Sequence, residues 1–171
     1  QADDSHISNV KLTGNNNQVY IAQYDQFNQT NMDITGHSNS TDIMQDGTEN
    51  KTTTHLIGDN NTSDINQIGD SNVSSFLVEG HDNNADITQL GTSNTVDASS
   101  ISNTPNIGDN NDVEFYQDGI ENTAAITGVT GNGNNFVTSQ IGANNKGIVY
   151  AISGSENEIE IDQEGDNNIA S

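Results

Sequence analysis

Seven glutamine residues recur along this chain at a nearly constant spacing, and this recurrence limits the fold more than any other feature. The intervals between them are 22, 22, 22, 28, 23 and 23 residues. The glutamines are Gln23, Gln45, Gln67, Gln89, Gln117, Gln140 and Gln163. Each but the first is followed by Gly two places on and by Asn five places on, as in QIGDSN. A period of this size along a whole chain indicates stacked, similar units and not one irregular core.

Asparagine residues divide each repeat into two halves. Asn stands at positions 17, 28, 39, 50, 61, 72, 83 and 94, and again at 111, 122, 134, 145, 157 and 168. Counting from each Asn, the second, fourth and sixth residues are small, apolar or Gln, as in Ser63-Ile65-Gln67. The residues between them are mostly Asp, Asn, Ser or Thr. Such alternation predicts a strand with one inward and one outward side.

The Gly-x-x-Asn that ends each half-unit is typical of a turn. Glycine adopts positive φ at little cost, and we expect Asn to tolerate the same conformation there while it bonds nearby backbone. Two half-units then make one turn of a flattened coil. The sequence therefore predicts an all-β fold, a β-solenoid of about seven strand–corner–strand–corner turns and roughly 34 Å long. A short N-terminal segment, residues 1–6, precedes a single repeat domain over residues 7–171.

Composition leaves disorder as an alternative, because only 29% of residues are hydrophobic and the mean hydropathy is −0.71. The strict phase of the apolar residues favours the solenoid, which needs few inward side chains per strand. The chain has no cysteine, so neither a disulfide framework nor a cysteine metal site is available. It begins with Gln and has no charged and apolar leader, as a processed, exported chain would.

The net charge of −22 argues strongly against a nucleic-acid partner. Four carboxylates recur at one outward position of the glutamine-bearing half-units: Asp42, Asp64, Asp86 and Glu114. In a coil they form one column, with Glu160 further along it. They form either a solvated acidic face or a column of divalent-cation ligands between neighbouring rods, since calcium prefers such oxygen ligands. We predict no cofactor and no membrane-spanning segment.

The remaining candidate sites do not assemble into catalytic chemistry. The interval between Asn94 and Asn111 contains extra residues around Ser99–Pro105, which we interpret as a decoration or a recognition loop at a solenoid corner. Single extra residues lie in the Gly128–Asn134 stretch and near Ser153, and we expect these at corners too. His37 and His81 are two turns apart and cannot share a metal ion. No nucleophile–base arrangement is evident, and the chain is not expected to be an enzyme.

The glutamine and asparagine columns are predicted to be structural. Identical amides stacked at strand spacing bond to one another along the stack, whereas an inward amide without a partner costs about 1–3 kcal/mol. The ladder should comprise the seven glutamines and the asparagine that closes each glutamine-bearing half-unit. These asparagines are Asn28, Asn50, Asn72, Asn94, Asn122, Asn145 and Asn168.

The Gln-x-Gly-x-x-Asn motif, followed by a small and then an apolar residue, resembles the curlin repeat. The resemblance runs from about Ile7 to Asn168 and maps, for example, onto Gln67, Gly69 and Asn72. Curlins are subunits of curli, the functional amyloid fibres of bacterial biofilms. The resemblance implies a homopolymer at the cell surface, export through an outer-membrane channel, nucleation on a minor subunit, and a role in adhesion and matrix formation.

Departures from the curlin pattern leave the kind of subunit open. The second Gln that curlins often carry is replaced by Ile34, Leu56 and Val78, so the chain is either a major or a nucleating subunit. Two rival classes remain. One is a solenoid adhesin that does not polymerise. The other is a ligand-binding or ice-binding solenoid, which would need a regular outward array of threonine.

Overall fold

The chain forms a β-solenoid of about seven turns, as the sequence predicts. The computed structural model describes residues 5–98 and 106–171, and within them there are sixteen strands and no helix. Among these residues no helix is available to cross a membrane. The strands stack in parallel into two sheets, and the chain passes from one sheet to the other at each corner.

The first sheet contains all seven repeating glutamines and is called the glutamine sheet. Its strands are β2 (Gln18–Gln26), β4 (Ser40–Thr48), β6 (Thr62–Asp70), β8 (Asn84–Thr92), β11 (Asp112–Ile120), β13 (Asn135–Ala143) and β15 (Glu158–Glu164).

The second sheet contains all three lysines of the chain, Lys11, Lys51 and Lys146, and is called the lysine sheet. Its strands are β1 (Ile7–Thr13), β3 (Gln29–Thr35), β5 (Lys51–Ile57), β7 (Val73–Glu79), β9 (Thr95–Ala98), β10 (Asn106–Ile107), β12 (Thr123–Thr130), β14 (Lys146–Ser153) and β16 (Ile169–Ala170).

Neighbouring strands are in register at the repeat length, so equivalent side chains form columns along the solenoid. Ile43, Ile65 and Ile87 are register partners in the glutamine sheet and are fully buried. Ile34 and Leu56 are the corresponding pair in the lysine sheet. These inward columns make a continuous core between the two sheets, which is why a chain with few apolar residues can fold.

The corners differ in one respect from the sequence-based expectation. Positive φ falls on the glycine and on the residue before the corner Asn, as at Gly69 (116°) and Ser71 (58°), whereas Asn72 itself turns inward. The glycine is needed for a second reason. A Cβ at Gly69 would collide with the backbone carbonyl of Gly91 in the next turn. The spacing between turns therefore leaves no room for a side chain at this position.

The extra residues do not lie at corners, and that expectation was wrong. Val78 in β7 pairs with Asn106, while Phe76 pairs with Ala98. The six additional residues thus interrupt one strand of the lysine sheet and leave the corners regular. In the next two strands, Thr127 pairs with Tyr150 and Val129 with Ile152, so Gly128 and Ala151 are stacked one-residue bulges. The segment Ser99–Pro105 lies outside the described residues.

Candidate functional site: the amide columns and the ends of the solenoid

The seven glutamine side chains form one uninterrupted, directional hydrogen-bond ladder. Each Nε2 donates to the Oε1 of the glutamine in the next turn towards the C-terminus, at 2.7–2.9 Å in all six steps. Gln45, Gln67, Gln89, Gln117 and Gln140 are fully buried. Because every step runs the same way, the column has a donor end at Gln163 and an acceptor end at Gln23.

The glutamines also join the two sheets. The second Nε2 hydrogen of Gln67 goes to the backbone oxygen of Lys51 at 3.2 Å, and Gln89 bonds the oxygen of Val73 in the same way at 3.1 Å. Thr52 lies on the lysine sheet and donates its hydroxyl to Oε1 of Gln67 at 3.0 Å. The buried amide is thereby fully bonded, which avoids the penalty of an unpaired polar group.

The asparagines of the predicted column hold the corners together. The backbone N–H of each donates to Oδ1 of the Asn one turn earlier at 2.9–3.1 Å. Each Nδ2 except that of Asn168 donates to the carbonyl oxygen of the corner glycine one turn later, as Asn50 does to Gly69 at 2.7 Å. A buried Asn thus links three successive turns, and neither asparagine polar atom is wasted.

A second asparagine column, omitted from the predicted ladder, is bonded like the first. Its backbone N–H groups donate to the preceding Oδ1 at 2.9–3.0 Å. Its members are Asn17, Asn39, Asn61, Asn83, Asn111, Asn134 and Asn157. The signal that identifies them is the 11-residue spacing of Asn, because both corners of each turn carry the same residue.

A column of polar side chains at the exposed corner after each lysine-sheet strand was also missed. Oδ1 of Asp59 accepts the backbone N–H of His37 at 2.7 Å, and Nδ1 of His81 accepts that of Asp59 at 3.1 Å. Asp109 accepts the N–H of His81 at 2.9 Å. His37 and His81 remain two turns apart. Within the described parts of the chain, no three His, Asp or Glu residues converge as metal ligands.

The predicted carboxylates Asp42, Asp64, Asp86 and Glu114 stand in one exposed outward column of the glutamine sheet. Partial burial raises the pKa of Asp64 above its usual value, and the charges of Asp86 and Asp42 raise it further. Partial burial likewise raises the pKa of Asp86, with Glu114 and Asp112 adding to the effect. The column therefore holds closely spaced like charges that repel one another.

The two ends of the solenoid leave inward positions uncovered. Val10 and Leu12 of β1 are 43% and 47% exposed, whereas their register partners Met32 and Ile34 are 2% and 0% exposed. At the other end, Ile159 and Ile161 are half-buried although their columns are buried elsewhere. Each end therefore presents core side chains together with one end of the glutamine ladder.

The ladder ends are also chemically complementary. Oε1 of Gln23 accepts a bond from the Ser8 hydroxyl at 2.8 Å and has no glutamine donor. Nε2 of Gln163 donates to the backbone oxygen of Lys146 at 3.2 Å and has no glutamine acceptor in the structure. An amide acceptor at one end and an amide donor at the other match the geometry of the six internal steps.

Comparison with known proteins identifies the repeat. The family model of the curlin associated repeat matches the chain three times, over residues 36–69, 58–91 and 137–165. The matched segments include four of the seven ladder glutamines, from Gln45 to Gln89 and Gln163, together with Gln140. No curated protein and no solved structure matches the chain.

Proposed function

We propose that this chain, which belongs to the family of proteins built from curlin associated repeats, is a structural subunit of a curli-like functional amyloid fibre. Copies add head to tail, and the fibre serves adhesion and biofilm matrix at the surface of a bacterium. The observation that carries the proposal is the directional glutamine ladder, whose donor end at Gln163 and acceptor end at Gln23 are complementary.

A head-to-tail junction continues the internal structure without a new kind of contact. Nε2 of Gln163 in one copy donates to Oε1 of Gln23 in the next, as in the six steps inside the chain. A head-to-head junction would place two acceptors or two donors together, which leaves buried amides unpaired at about 1–3 kcal/mol each. Contacts of the head-to-tail kind do not close on themselves, so they generate filaments.

Apolar burial supplies the main driving force at the same junction. Ile7, Val10 and Leu12 are 50%, 43% and 47% exposed on the edge strand β1. Covering them with a further turn of solenoid contributes about 25 cal/mol for each Å² of apolar surface removed from water. The exposed backbone of β1 and β15 adds strand pairing, since an open sheet edge is a template for another chain.

The proposed location and partners follow from the family and not from a site in the chain. We place the fibre outside the cell, with export through an outer-membrane channel and with a minor subunit as nucleator. Nucleic acid and membrane insertion have no place in this function, and neither does catalysis.

A pair of matched charge variants tests the junction. Leu12→Lys places an ammonium group on an inward position that only a second copy would cover, whereas Asn9→Lys adds the same charge on the outward side of the same strand. We expect Leu12→Lys to abolish fibre growth, seen by dye binding and electron microscopy, and Asn9→Lys to grow as the parent chain does. A parent chain that forms no fibres, or equal growth of both variants, contradicts the proposal.

The acidic column opposes growth and gives a second test. Repulsion between exposed charges is screened over about 10 Å at 0.1 M salt, so added sodium chloride should shorten the lag before assembly. If Asp42, Asp64, Asp86 and Glu114 bind divalent cations between rods, calcium should act at lower ionic strength than sodium. If they form a solvated face, the two salts should act equally at equal ionic strength. A lag that lengthens with salt contradicts both versions.

A further inference from the structure

The two outward faces of the solenoid differ sharply in charge. The glutamine sheet carries no lysine on its outward face, and its outward strand positions hold eight carboxylates. These are Asp42, Asp64, Asp86, Asp112, Glu114, Glu158, Glu160 and Asp162. The lysine sheet has all three lysines on its outward face, and among the central outward positions described there only Asp33 and Asp97 are acidic. The molecule is therefore a rod with one strongly acidic face and one face of nearly balanced charge.

Two of the lysines have no ion-pair partner within the described parts of the chain. Lys11 pairs with Asp33 at 2.8 Å, so this cation is already neutralised. Lys51 and Lys146 are exposed, and no carboxylate of the described residues lies within ion-pair distance of them. They stand at the first position of β5 and of β14, which are four strands apart in the sheet. At about 4.8 Å per strand their spacing is roughly 19 Å.

The acidic face carries carboxylates at the same spacing and the same height. Asp64 lies on β6, which follows β5 in the chain, and Glu160 lies on β15, which follows β14. These two strands are likewise four apart in the glutamine sheet. Two parallel rods in step therefore bring Lys51 level with Asp64, and Lys146 level with Glu160.

From this complementarity we infer that fibres associate side by side, with the lysine sheet of one copy against the glutamine sheet of another. Two glutamine sheets cannot face each other, because their carboxylate columns repel. The back-to-front contact instead places both unpaired ammonium groups on the acidic face. Such contacts repeat in the same direction, so they extend paired fibres into layered bundles.

The strength of the contact places it in fibres and not between free monomers, so the inference rests on the proposed function. Exposed ion pairs are individually weak and salt-sensitive. Along a fibre the same pair of contacts recurs with every subunit, and linked weak contacts add in avidity once the first has formed. Lateral pairing should therefore appear only after fibres have grown.

Three charge variants test the contact. Lys51→Gln with Lys146→Gln removes the cations, and Asp64→Asn with Glu160→Gln removes the facing anions. Gln18→Glu with Ser40→Glu, both at exposed outward positions of the glutamine sheet, is the matched control. It makes the net charge more negative by the same two units as the lysine variant. The fraction of laterally paired fibres is counted by electron microscopy, and the growth rate of single fibres is recorded alongside.

We expect both contact variants to lower the paired fraction about fivefold, the size of effect that lost surface ion pairs support, while single fibres still grow. The control should pair as the parent chain does. If net repulsion alone governs bundling, Asp64→Asn with Glu160→Gln would instead increase pairing and the control would reduce it, which overturns the inference. Fibres that never pair overturn it alone. A chain that forms no fibres overturns the proposed function as well.

Discussion

The two sheets of this solenoid repeat with very different strictness. In the glutamine sheet the strands from β2 to β13 each have nine residues and pair without a bulge. In the lysine sheet one strand is split into β9 and β10, and the following two carry bulges at Gly128 and Ala151. All the interruptions therefore fall in the same sheet.

The inward side chains explain the difference. Gln67 bonds to Gln45 and Gln89 and to the backbone of Lys51, so a shift by one residue breaks several directed bonds at once. Leu56 and Val78 of the lysine sheet pack only through apolar contacts, which have no direction and adjust to small displacements. A hydrogen-bonded core fixes the strand register, whereas an apolar core tolerates an extra residue.

The largest predicted effect comes from inserting one glycine into each sheet at equivalent places. An insertion between Asn66 and Gln67 moves the glutamine out of its column and leaves Nε2 of Gln45 and Oε1 of Gln89 unpaired. We expect a loss of about 3–5 kcal/mol in the free energy of unfolding, measured by urea titration. An insertion between His55 and Leu56 copies the natural bulges and should cost about 1–2 kcal/mol. Equal losses would show that the ladder does not set the register.

Removing the glutamine side chains should come next in size. Gln67→Ala with Gln89→Ala creates a cavity and unpaired amides, and each change should cost about 2–4 kcal/mol and slow fibre growth. The outward residues of the same strands provide the control, since Asn66→Ala with Thr88→Ala should change stability by less than about 0.5 kcal/mol. A similar effect from both pairs would mean that the inward and outward sides are not as described.

Two threonines on one strand of the lysine sheet sharpen the comparison. The Thr52 hydroxyl bonds to Gln67, while the Thr54 hydroxyl is buried with no partner among the described residues. Thr52→Val should therefore destabilise the fold by about 1 kcal/mol, and Thr54→Val should be neutral or stabilising by a similar amount. Thermal unfolding of the two variants measures the difference. The same sign for both would indicate that the sheet-to-sheet bond to Gln67 contributes nothing.

The smallest effect concerns the exposed carboxylates. The folded state raises the pKa of Asp64 and of Asp86, so the folded chain takes up these protons more readily than the unfolded chain. Stability should rise as pH falls from neutral through the raised folded pKa towards the ordinary carboxyl pKa. Asp64→Asn should raise Tm at pH 7 by about 1 °C, because exposed charge interactions are weak, and should flatten this pH dependence. A steeper dependence in the variant would contradict the assignment.

Much of this architecture can be predicted from the sequence because the repeat is expressed in residue types with one structural use. The spacing from Gln23 to Gln163 fixes the number of turns, and the alternation around Ile65 fixes which side is inward. The position of an extra residue within a half-unit is not fixed, because the period counts residues between asparagines and does not locate Ala151. The separate roles of Thr52 and Thr54 were equally hidden, since both are inward threonines and only the packed structure decides which hydroxyl reaches a glutamine.

The central claim is that copies of the chain stack end to end and continue the ladder. Cryo-electron microscopy of fibres grown from the purified chain tests it most directly. Seven strands of the glutamine sheet at about 4.8 Å each predict a subunit repeat of about 34 Å along the fibre axis, with Gln163 of one copy bonded to Gln23 of the next. A chain that remains monomeric and dye-negative for days, or fibres in which two like ends meet, would contradict the account.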